Sequence, residues 1–255
     1  MRIKPDCLIC VLRQCLEATS LARADEEKAF LAIKEAGKLI PQFTLNDTPM
    51  SVTLKMHRAV RLTLGVNDPY KEVKKEFNEK GAKAYPYLCE LMSKSGSPLE
   101  TAVRIAIGGN IVDYALPIEK DLDKSLNTAL NAPLPAEDWK IFTEELSRVK
   151  NIFYLLDNAG EIFYDKILIE HLLKEGYNVK VAVRGGPAIN DATLEDAEYA
   201  GLTEMTDVIT TGIDTVGFIF ELASPEFLKV LSEAELIIAK GQANLESLDE
   251  TEYPA

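Results

Sequence analysis

The sequence predicts an α/β protein in which a helical first half precedes a mainly parallel β-sheet. In the second half, four short apolar segments of strand character each end in a cluster of polar residues, and helix-like stretches separate them. Strands that alternate with helices in this way form a parallel sheet with right-handed crossovers. All four polar clusters then lie at the carboxyl ends of the strands, the edge where open α/β sheets bind ligands.

Residues 1 to about 125 are predicted to form an all-helical domain. Ser97-Pro98-Leu99-Glu100 is a capping box with proline at the first helical position, so a helix is expected from there to about Ala115. Gly108 and Gly109 inside it would each cost ~1 kcal/mol relative to alanine, which indicates close approach of another backbone or of a ligand. Apolar residues recur at helical spacing in three earlier segments, 8–22, 26–39 and 51–64.

The composition becomes polar and rich in proline over 117–135, where 119–130 could form a short helix. We place the domain boundary there, which gives a helical domain over 1–125 and an α/β domain over 126–255. In the second domain, strands are predicted at 151–156, 179–183, 207–210 and 235–239. Helices are predicted at 136–148, 161–174, 194–200 and 225–232.

The composition is that of a protein with a substantial hydrophobic core. Of the 255 residues, 47% are hydrophobic and 27% are charged, which is typical of globular domains. The formal charge of −13 argues against a nucleic-acid surface, which needs a basic footprint. The sequence shows neither an N-terminal secretion signal nor an apolar run of about 18 residues that could span a membrane. We therefore expect a soluble, cytoplasmic protein that binds neither nucleic acid nor membrane.

Asp157 and Asn158 follow the first predicted strand, and Asp191 follows the second. Side chains from neighbouring strand ends can converge on one position, and two carboxylates with an amide oxygen form an all-oxygen set suited to Mg²⁺ or Mn²⁺. Such a set leaves positions open for water and phosphate, as hydrolytic metal catalysis requires. The alternative is that Asp157 and Asn158 only cap the following helix.

Lys240 ends the fourth predicted strand and can place a positive charge on a phosphate oxygen. Gly241 allows close approach of the backbone, Asn244 adds a donor, and Arg184 could do similar work. The alternative for a lysine at the end of a strand is simple solvation. Asp214 and Thr215, in the polar cluster after the third strand, supply weaker candidates for substrate binding.

Several enzyme classes are disfavoured because their motifs are absent from the sequence. It contains no G-x-G-x-x-G, no P-loop and no G-x-S-x-G elbow. The sequence therefore carries no motif for dinucleotide binding, for nucleoside triphosphate binding or for serine hydrolysis. His57 and His171, the two histidines, lie inside helical patterns and are expected to be structural.

Cys7-x-x-Cys10 could bind a metal or take part in redox chemistry, and Cys15 and Cys89 could complete a set of four thiolates. A single C-x-x-C is weak support for a metal site, and the first three cysteines also fit a helix that buries small apolar side chains. A second metal at Cys7 and Cys10 is therefore an open alternative.

The ordered motifs resemble a known family. LLDNAGE (155–161), RGGPAIND (184–191), TGIDTVG (211–217) and KGQAN (240–244) are similar to the motif set of the damage-control phosphatases, a metal-dependent family also called ARMT-like and first catalogued as domain of unknown function 89. DCLIC (6–10), DPYKEVK (68–74) and ETAVRIAIGGNIVDYA (100–115) resemble its small microbial subfamily, whose members carry a C-x-x-C near the start. The resemblance covers nearly the whole chain.

The resemblance implies a helical region on a Rossmann-like, three-layer α/β/α domain. It also implies a divalent metal (Mn, Mg, Co or Ni) held by Asp157, Asn158 and Asp191, and hydrolysis of small phosphorylated metabolites, often damaged or overflow sugar phosphates. Family members usually continue past the lysine motif with another apolar strand, whereas this sequence ends at Ala255. A boundary of the given sequence, a disordered tail or a true truncation would each explain this difference. If the strand is truly missing, the sheet edge and the lysine loop are expected to be less well ordered than in relatives.

We expect the metal to polarise the phosphoryl group and to position a water in line with the leaving group. Lys240, Asn244 and Arg184 would offset charge on the phosphoryl oxygens. Glu161 would orient the water, or else only complement the N-terminus of its own helix. Asn110 and Asp113 would form a substrate wall between the two domains.

Two alternative functions remain open at this point. One is a methyltransferase that uses S-adenosylmethionine, a role disfavoured by the absence of a glycine-rich loop after the first strand. The other is a non-catalytic module that binds a metabolite or a metal, centred on Cys7 and Cys10. The oligomeric state is not predictable from the sequence.

Overall fold

The computed structural model describes residues 1–109, 128–249, 251, 253 and 254. Within these residues, helices α1 to α10 span Pro5–Leu21, Glu26–Gly37, Pro49–Leu64, Lys71–Ser93, Pro98–Gly109, Ala136–Arg148, Ile162–Lys174, Leu194–Tyr199, Pro225–Glu233 and Gln242–Leu248. Strands β1 to β4 span Asn151–Leu155, Asn178–Val183, Asp207–Thr210 and Leu236–Ala239.

The four strands form one parallel sheet in the order β3-β2-β1-β4. Leu155, near the end of β1, is in register with Ala182 of β2 and with Ala239 of β4. The chain moves outward from β1 to β3 and then returns to the other side of β1 to form β4. The strand order therefore reverses at β1, and the crevice beside the carboxyl ends of β1 and β4 is the position where doubly wound sheets bind ligands.

Helices cover both faces of the sheet, which confirms the predicted three-layer α/β fold. Successive side chains of a strand point to opposite faces. Ile152 and Tyr154 pack with α7 and with Leu88 and Ile105 of the preceding helices, whereas Phe153 and Leu155 pack on the other face. That second core contains Phe218, Phe227, Leu231, Ile237 and Leu248.

The helical first half contributes to two different cores. Helices α1 to α3 bury a separate cluster that includes Val11, Cys15, Ala32, Val52 and Met56. Helices α4 and α5 instead pack against α7, and their apolar side chains join the core of the sheet. The predicted boundary at 125/126 lies outside the described residues and stays a prediction.

The helix ends follow from local signals. Thr48 caps α3, because its side chain accepts a hydrogen bond from the Ser51 amide (3.2 Å) and Pro49 occupies the first helical position. Helix α5 begins at Pro98, as the capping box predicts. A Cβ on Gly109 would lie 2.7 Å from Cβ of Tyr164, so this glycine permits the close approach of α7. Among the described helices, none is long and apolar enough to cross a membrane.

Candidate metal and phosphate site

Two loops at the carboxyl edge of the sheet are joined by their backbones. Asn158, after β1, pairs with Asp191, after β2, in an isolated antiparallel bridge. The Ala192 amide donates to the Asp157 carbonyl (2.7 Å), and the Ala159 amide donates to the Asn190 carbonyl (2.9 Å). The sequence prediction that these residues share one site is consistent with this geometry.

Asp157 and Asn158 do not cap the following helix. Helix α7 begins at Ile162, and its N-cap residue is Glu161, which makes no side-chain capping bond. The alternative that Asp157 and Asn158 serve only as caps is therefore wrong. Asn158 instead donates through Nδ2 to Asp157 (2.8 Å) and to Glu161 (3.0 Å), so its amide oxygen is the atom that can bind a cation.

Arg184 links the two loops through its side chain, which is only 2% exposed. Its Nε donates to Asp191 Oδ2 (2.6 Å), and its Nη1 donates to Asn244 Oδ1 (2.8 Å). Its Nη2 lies 3.6 Å from Asp157 Oδ1 and has no hydrogen-bond acceptor in the described part of the chain. Arg184 thus pairs with both carboxylates, and both N–H bonds of its Nη2 lack an acceptor among the described residues.

Lys240 lies in the crevice between β1 and β4, at the end of β4. Its ammonium donates to Glu161 (2.6 Å), to Asp165 (2.7 Å) and to the Ala106 carbonyl (2.8 Å). An ammonium group has three donors, so all of them are used by the protein. The alternative of a solvated lysine is excluded by this arrangement, and contact with a phosphate would require one acceptor to be exchanged.

Asp165 is a member of the site that the sequence prediction missed. It is fully buried on α7, and its Oδ1 accepts hydrogen bonds from Lys240 and from the Tyr154 hydroxyl (2.7 Å). Its Oδ2 has no hydrogen-bond partner among the described residues. No local sequence signal indicated that Asp165 belongs to the site, because an acidic residue in an otherwise apolar helical pattern is usually solvated.

Three aspartates of the site, Asp157, Asp165 and Asp191, have raised pKa values. Burial, reinforced by the charges of Asp191 and Glu161, raises the pKa of Asp157 to about 8. Burial also raises the pKa of Asp191, and it raises the pKa of Asp165 to about 6. Burial would lower the pKa of Lys240, but Asp165 and Glu161 outweigh it and raise that pKa. The cluster is therefore short of positive charge.

Gly241 permits close contact between the lysine loop and Asp157. Its backbone has φ +80°, and a Cβ there would overlap the Asp157 carboxyl group. Asn244, fully buried, donates to the carbonyls of Leu156 (3.0 Å) and Lys240 (2.7 Å), which fixes the start of α10 against β1. Gly241 and Asn244 thus bring the fourth strand's loop to the same site.

Asp214 and Thr215, predicted to bind substrate, contact α3. Asp214 forms ion pairs with Arg58 and Arg61, and Thr215 donates to the Met50 carbonyl (3.2 Å). Partial burial would raise the pKa of Asp214, but the hydrogen bonds from the two arginines outweigh it and lower that pKa. These contacts give both residues a structural part. Asn110 and Asp113 lie outside the described residues.

The cysteines are free thiols in different environments. Cys10 is exposed and Cys7 half-buried, whereas Cys15 lies in the core of α1 to α3, where burial raises its pKa to about 12. Cys89 packs against the core of the sheet, so the structure does not bring it to Cys15. Over the described ranges, no group of three or more His, Cys, Asp and Glu side chains is arranged around a common metal position.

A cavity of about 620 Å³ adjoins Arg184. Lys71 and Lys74 of α4, the Gly185-Gly186 turn and Glu195 of α8 contribute to its lining. Its volume is within the range of small-molecule sites. Arg184 therefore pairs with the two carboxylates and also lines a cavity large enough for a metabolite.

Comparison with known proteins identifies the family to which this chain is similar. A sequence model of the damage-control phosphatase ARMT1-like domain matches residues 3–255. The chain is 35% identical to damage-control phosphatase PH1575 of Pyrococcus horikoshii, over 98% of this chain and 87% of that protein. It is also 35% identical to a damage-control phosphatase of Archaeoglobus fulgidus, over 98% and 88%. A crystal structure of the P. horikoshii DUF89 family protein superposes with a TM-score of 0.89 at 34% identity, covering 98% of this chain and 88% of that one.

The chain belongs to the damage-control phosphatase family. The match spans both the helical half and the sheet, so the resemblance inferred from the ordered motifs is confirmed. Homologues named as damage-control phosphatases support phosphohydrolase activity and do not favour a methyltransferase. In this member of the damage-control phosphatase family, the loops that carry three of the four motifs meet at the end of β1, whereas the loop after β3 contacts α3.

Proposed function

We propose that the protein is a metal-dependent phosphomonoester hydrolase that acts on small phosphorylated metabolites. The observation that supports this most strongly is an imbalance of charge. The ion-paired cluster formed by described residues contains four buried carboxyl groups but only two cationic side chains, Lys240 and Arg184. A buried negative charge is costly unless it is paired, and one divalent cation would balance the difference.

Asp157, Asn158 and Asp191 would hold this cation, as the family resemblance implies. Their donor atoms are two carboxylates and an amide oxygen, which suit Mg²⁺ or Mn²⁺, with Co²⁺ and Ni²⁺ as alternatives. The raised pKa of Asp157 also fits a cation site. Burial and the charges of neighbouring carboxylates cause it, and a bound cation would offset both. A divalent cation there would supply Lewis-acid stabilisation of the phosphoryl oxygens.

The remaining side chains have distinct parts in this proposal. Glu161, held by Lys240 and Asn158, can accept a proton from a water molecule and orient it toward phosphorus. Lys240 offsets the charge of Glu161 and Asp165, and it would reach a phosphoryl oxygen by releasing the neutral Ala106 carbonyl. Arg184 has unused N–H bonds at Nη2 for the phosphate.

The substrate would occupy the space beside Arg184. The family resemblance implies damaged or overflow sugar phosphates as its class, and two relatives are named damage-control phosphatases. Asn244 would act through Arg184, whose guanidinium donates to it. The substrate contacts predicted for Asn110, Asp113, Asp214 and Thr215 stay predictions.

The proposal is tested by hydrolysis of p-nitrophenyl phosphate by metal-stripped protein, with Mg²⁺, Mn²⁺, Co²⁺ and Ni²⁺ added back in turn. We expect turnover only with added metal, and a loss of about 1,000-fold or more in Asp157→Ala. The matched control is Asp207→Asn, which removes an exposed carboxylate from the opposite end of the sheet. Full activity in folded Asp157→Ala would contradict the assignment.

The two alternative functions make different predictions in the same preparation. A methyltransferase would bind S-adenosylmethionine, measured by calorimetric titration, and would show no metal-dependent hydrolysis. A non-catalytic module at Cys7 and Cys10 would retain bound metal in Asp157→Ala and lose it in Cys7→Ser, measured by elemental analysis. We expect neither result.

A further inference from the structure

The turn that carries Asp157 and Asn158 rests directly on helix α4. The Gly160 amide donates to Oδ1 of Asn78 (2.8 Å), and Asn78 is only 5% exposed. The backbones also meet closely: a Cβ on Gly81 would lie 2.6 Å from the Gly160 carbonyl oxygen, and a Cβ on Gly160 would lie 2.8 Å from the Phe77 carbonyl oxygen. Helix α4 therefore fixes the position of this turn by contact and by hydrogen bonding.

The other end of the Asn78 amide reaches the second loop. Its Nδ2 donates to Oδ1 of Asp196 (2.7 Å), a buried residue in the first turn of α8. Oδ2 of Asp196 accepts from the Thr193 amide (2.7 Å) and from Lys74 (2.9 Å). Thr193 lies two positions after Asp191, so Asn78 is connected to the loops that carry all three candidate metal ligands.

The direction of the Asn78 amide is set by its partners. A backbone N–H only donates, so it requires the oxygen end of the amide. Burial would raise the pKa of Asp196, but Lys74 and Thr193 outweigh it and lower that pKa, so this carboxylate only accepts. No other orientation satisfies both neighbours, and an aspartate, a serine or an alanine at position 78 could not bridge them.

We propose that Asn78 is a positioning residue that sets the relative placement of the Asp157–Asn158 turn and the Asp191 loop, and thereby the affinity for the divalent cation. Asparagine is a poor helix former, and a buried polar side chain is costly unless it is fully bonded. Both observations are explained if the amide holds the two loops in register. The inference rests on the metal site proposed above.

The test is a charge-swapped pair measured by calorimetric titration of Mn²⁺ into metal-free protein. Asn78→Asp places a second carboxylate against Asp196. Asp196→Asn leaves one acceptor oxygen where Asn78 donates on one side and Thr193 and Lys74 donate on the other. We expect each single variant to bind Mn²⁺ about 10–100-fold more weakly, as loss of outer-shell partners does. The double variant restores one donor and one acceptor, so we expect its affinity to return to within about 3-fold of the parent.

The matched control is Tyr85→Phe. It also removes a hydrogen bond between α4 and α7, from the Tyr85 hydroxyl to Glu170, away from the metal loops. A thermal melt of every variant separates stability from binding. We expect Tyr85→Phe to lower the melting temperature without changing the Mn²⁺ affinity.

The outcomes separate this inference from the proposed function. If the parent protein does not bind Mn²⁺, the metal site itself is wrong. If the parent binds Mn²⁺ and Asn78→Asp binds it equally well, or if the double variant is folded but not restored, Asn78 does not position the ligands. Should Asn78→Asp not fold, Asn78→Ser, which keeps an acceptor but cannot bridge, replaces it with the same expected loss of affinity.

Discussion

One close approach at the site depends on a residue without a side chain. Gly241 has φ +80° and ψ 160°, a region of backbone conformation that is essentially restricted to glycine, and its Cα faces the Asp157 carboxyl group. The backbone conformation and the contact both require glycine. This explains why the lysine loop can approach the Asp157 carboxyl group so closely.

We predict that Gly241→Ala disables the site more than it destabilises the fold. The substitution forces a strained backbone, which costs roughly 1–3 kcal/mol, and it displaces Asp157. A displacement of about 1 Å can lower turnover about 100-fold. The measurement is metal-dependent hydrolysis together with a urea unfolding curve.

Gly65→Ala is the matched control for this prediction. Gly65 also has a positive φ (+67°), but a Cβ there would meet no atom within 4 Å. We expect a similar loss of stability with unchanged turnover. Equal turnover of Gly241→Ala and the parent would show that Asp157 does not need its present position.

At the scale of elements, an ion pair joins the helical half to the sheet. Asp214, in the loop after β3, contacts Arg58 and Arg61 of α3, and Arg61 also donates to the Pro187 carbonyl (2.8 Å) in the loop after β2. The side chain of Arg61 is 12% exposed, so loss of its partner would leave a largely buried charge.

We predict that Asp214→Asn destabilises the protein by roughly 1–3 kcal/mol at pH 7, because charged hydrogen bonds contribute about this much. The pKa of Asp214 is lowered in the folded state, so its stabilisation is complete above the unfolded pKa, near 4, and is lost as the pH falls through the folded pKa. The difference in free energy of unfolding between variant and parent, measured with urea, should therefore disappear below about pH 4.

Asp207→Asn again provides the control, since Asp207 pairs with Lys180 across β2 and β3 at a 75% exposed position. Exposed ion pairs contribute little, so this variant should match the parent at every pH. A difference for Asp214→Asn that does not depend on pH would contradict the ion-pair explanation.

The elements that the sequence predicted best are those with strong local signals. The four strands and the loops after them were predictable because each apolar segment ends abruptly in polar residues. Helix α4 had no predicted boundaries, because its sequence is strongly charged and includes Gly81 and Pro86. The importance of Asn78 and Asp165 depends on contacts with distant segments, which no local pattern encodes.

The lysine motif shows the same limit within the site. Its position after β4 placed Lys240 at the correct edge, but the free ammonium expected for phosphate binding is bonded to Glu161, Asp165 and Ala106. The partners come from α5 and α7, and their convergence is a property of the packed molecule. Spacing along the chain can indicate which loops meet, but not which of their donors are already used.

At the scale of the whole molecule, the helical half holds both candidate metal loops. Helix α4 contacts the 157–161 turn through Asn78 and Gly81. The core of α1 to α3 contacts the second loop through Ile189, a β-branched residue with φ +50° that packs against that core. Such a backbone conformation is unfavourable for isoleucine, so the packing must hold it there. The two candidate metal loops therefore depend on both cores of the helical half.

This arrangement predicts where a bound metal would stabilise the molecule. Mn²⁺ at 100 times its Kd stabilises the folded state by about 2.7 kcal/mol. Amides that exchange through local opening should slow only where the metal loops are held. In hydrogen exchange followed by mass spectrometry, we expect Mn²⁺ to slow exchange at 157–163, 77–84 and 187–192, and to leave locally exchanging amides of α2 and α6 unchanged. Protection confined to 157–163 would mean that the helical half is not coupled to the site. An equal effect everywhere would mean that the metal acts only on global unfolding.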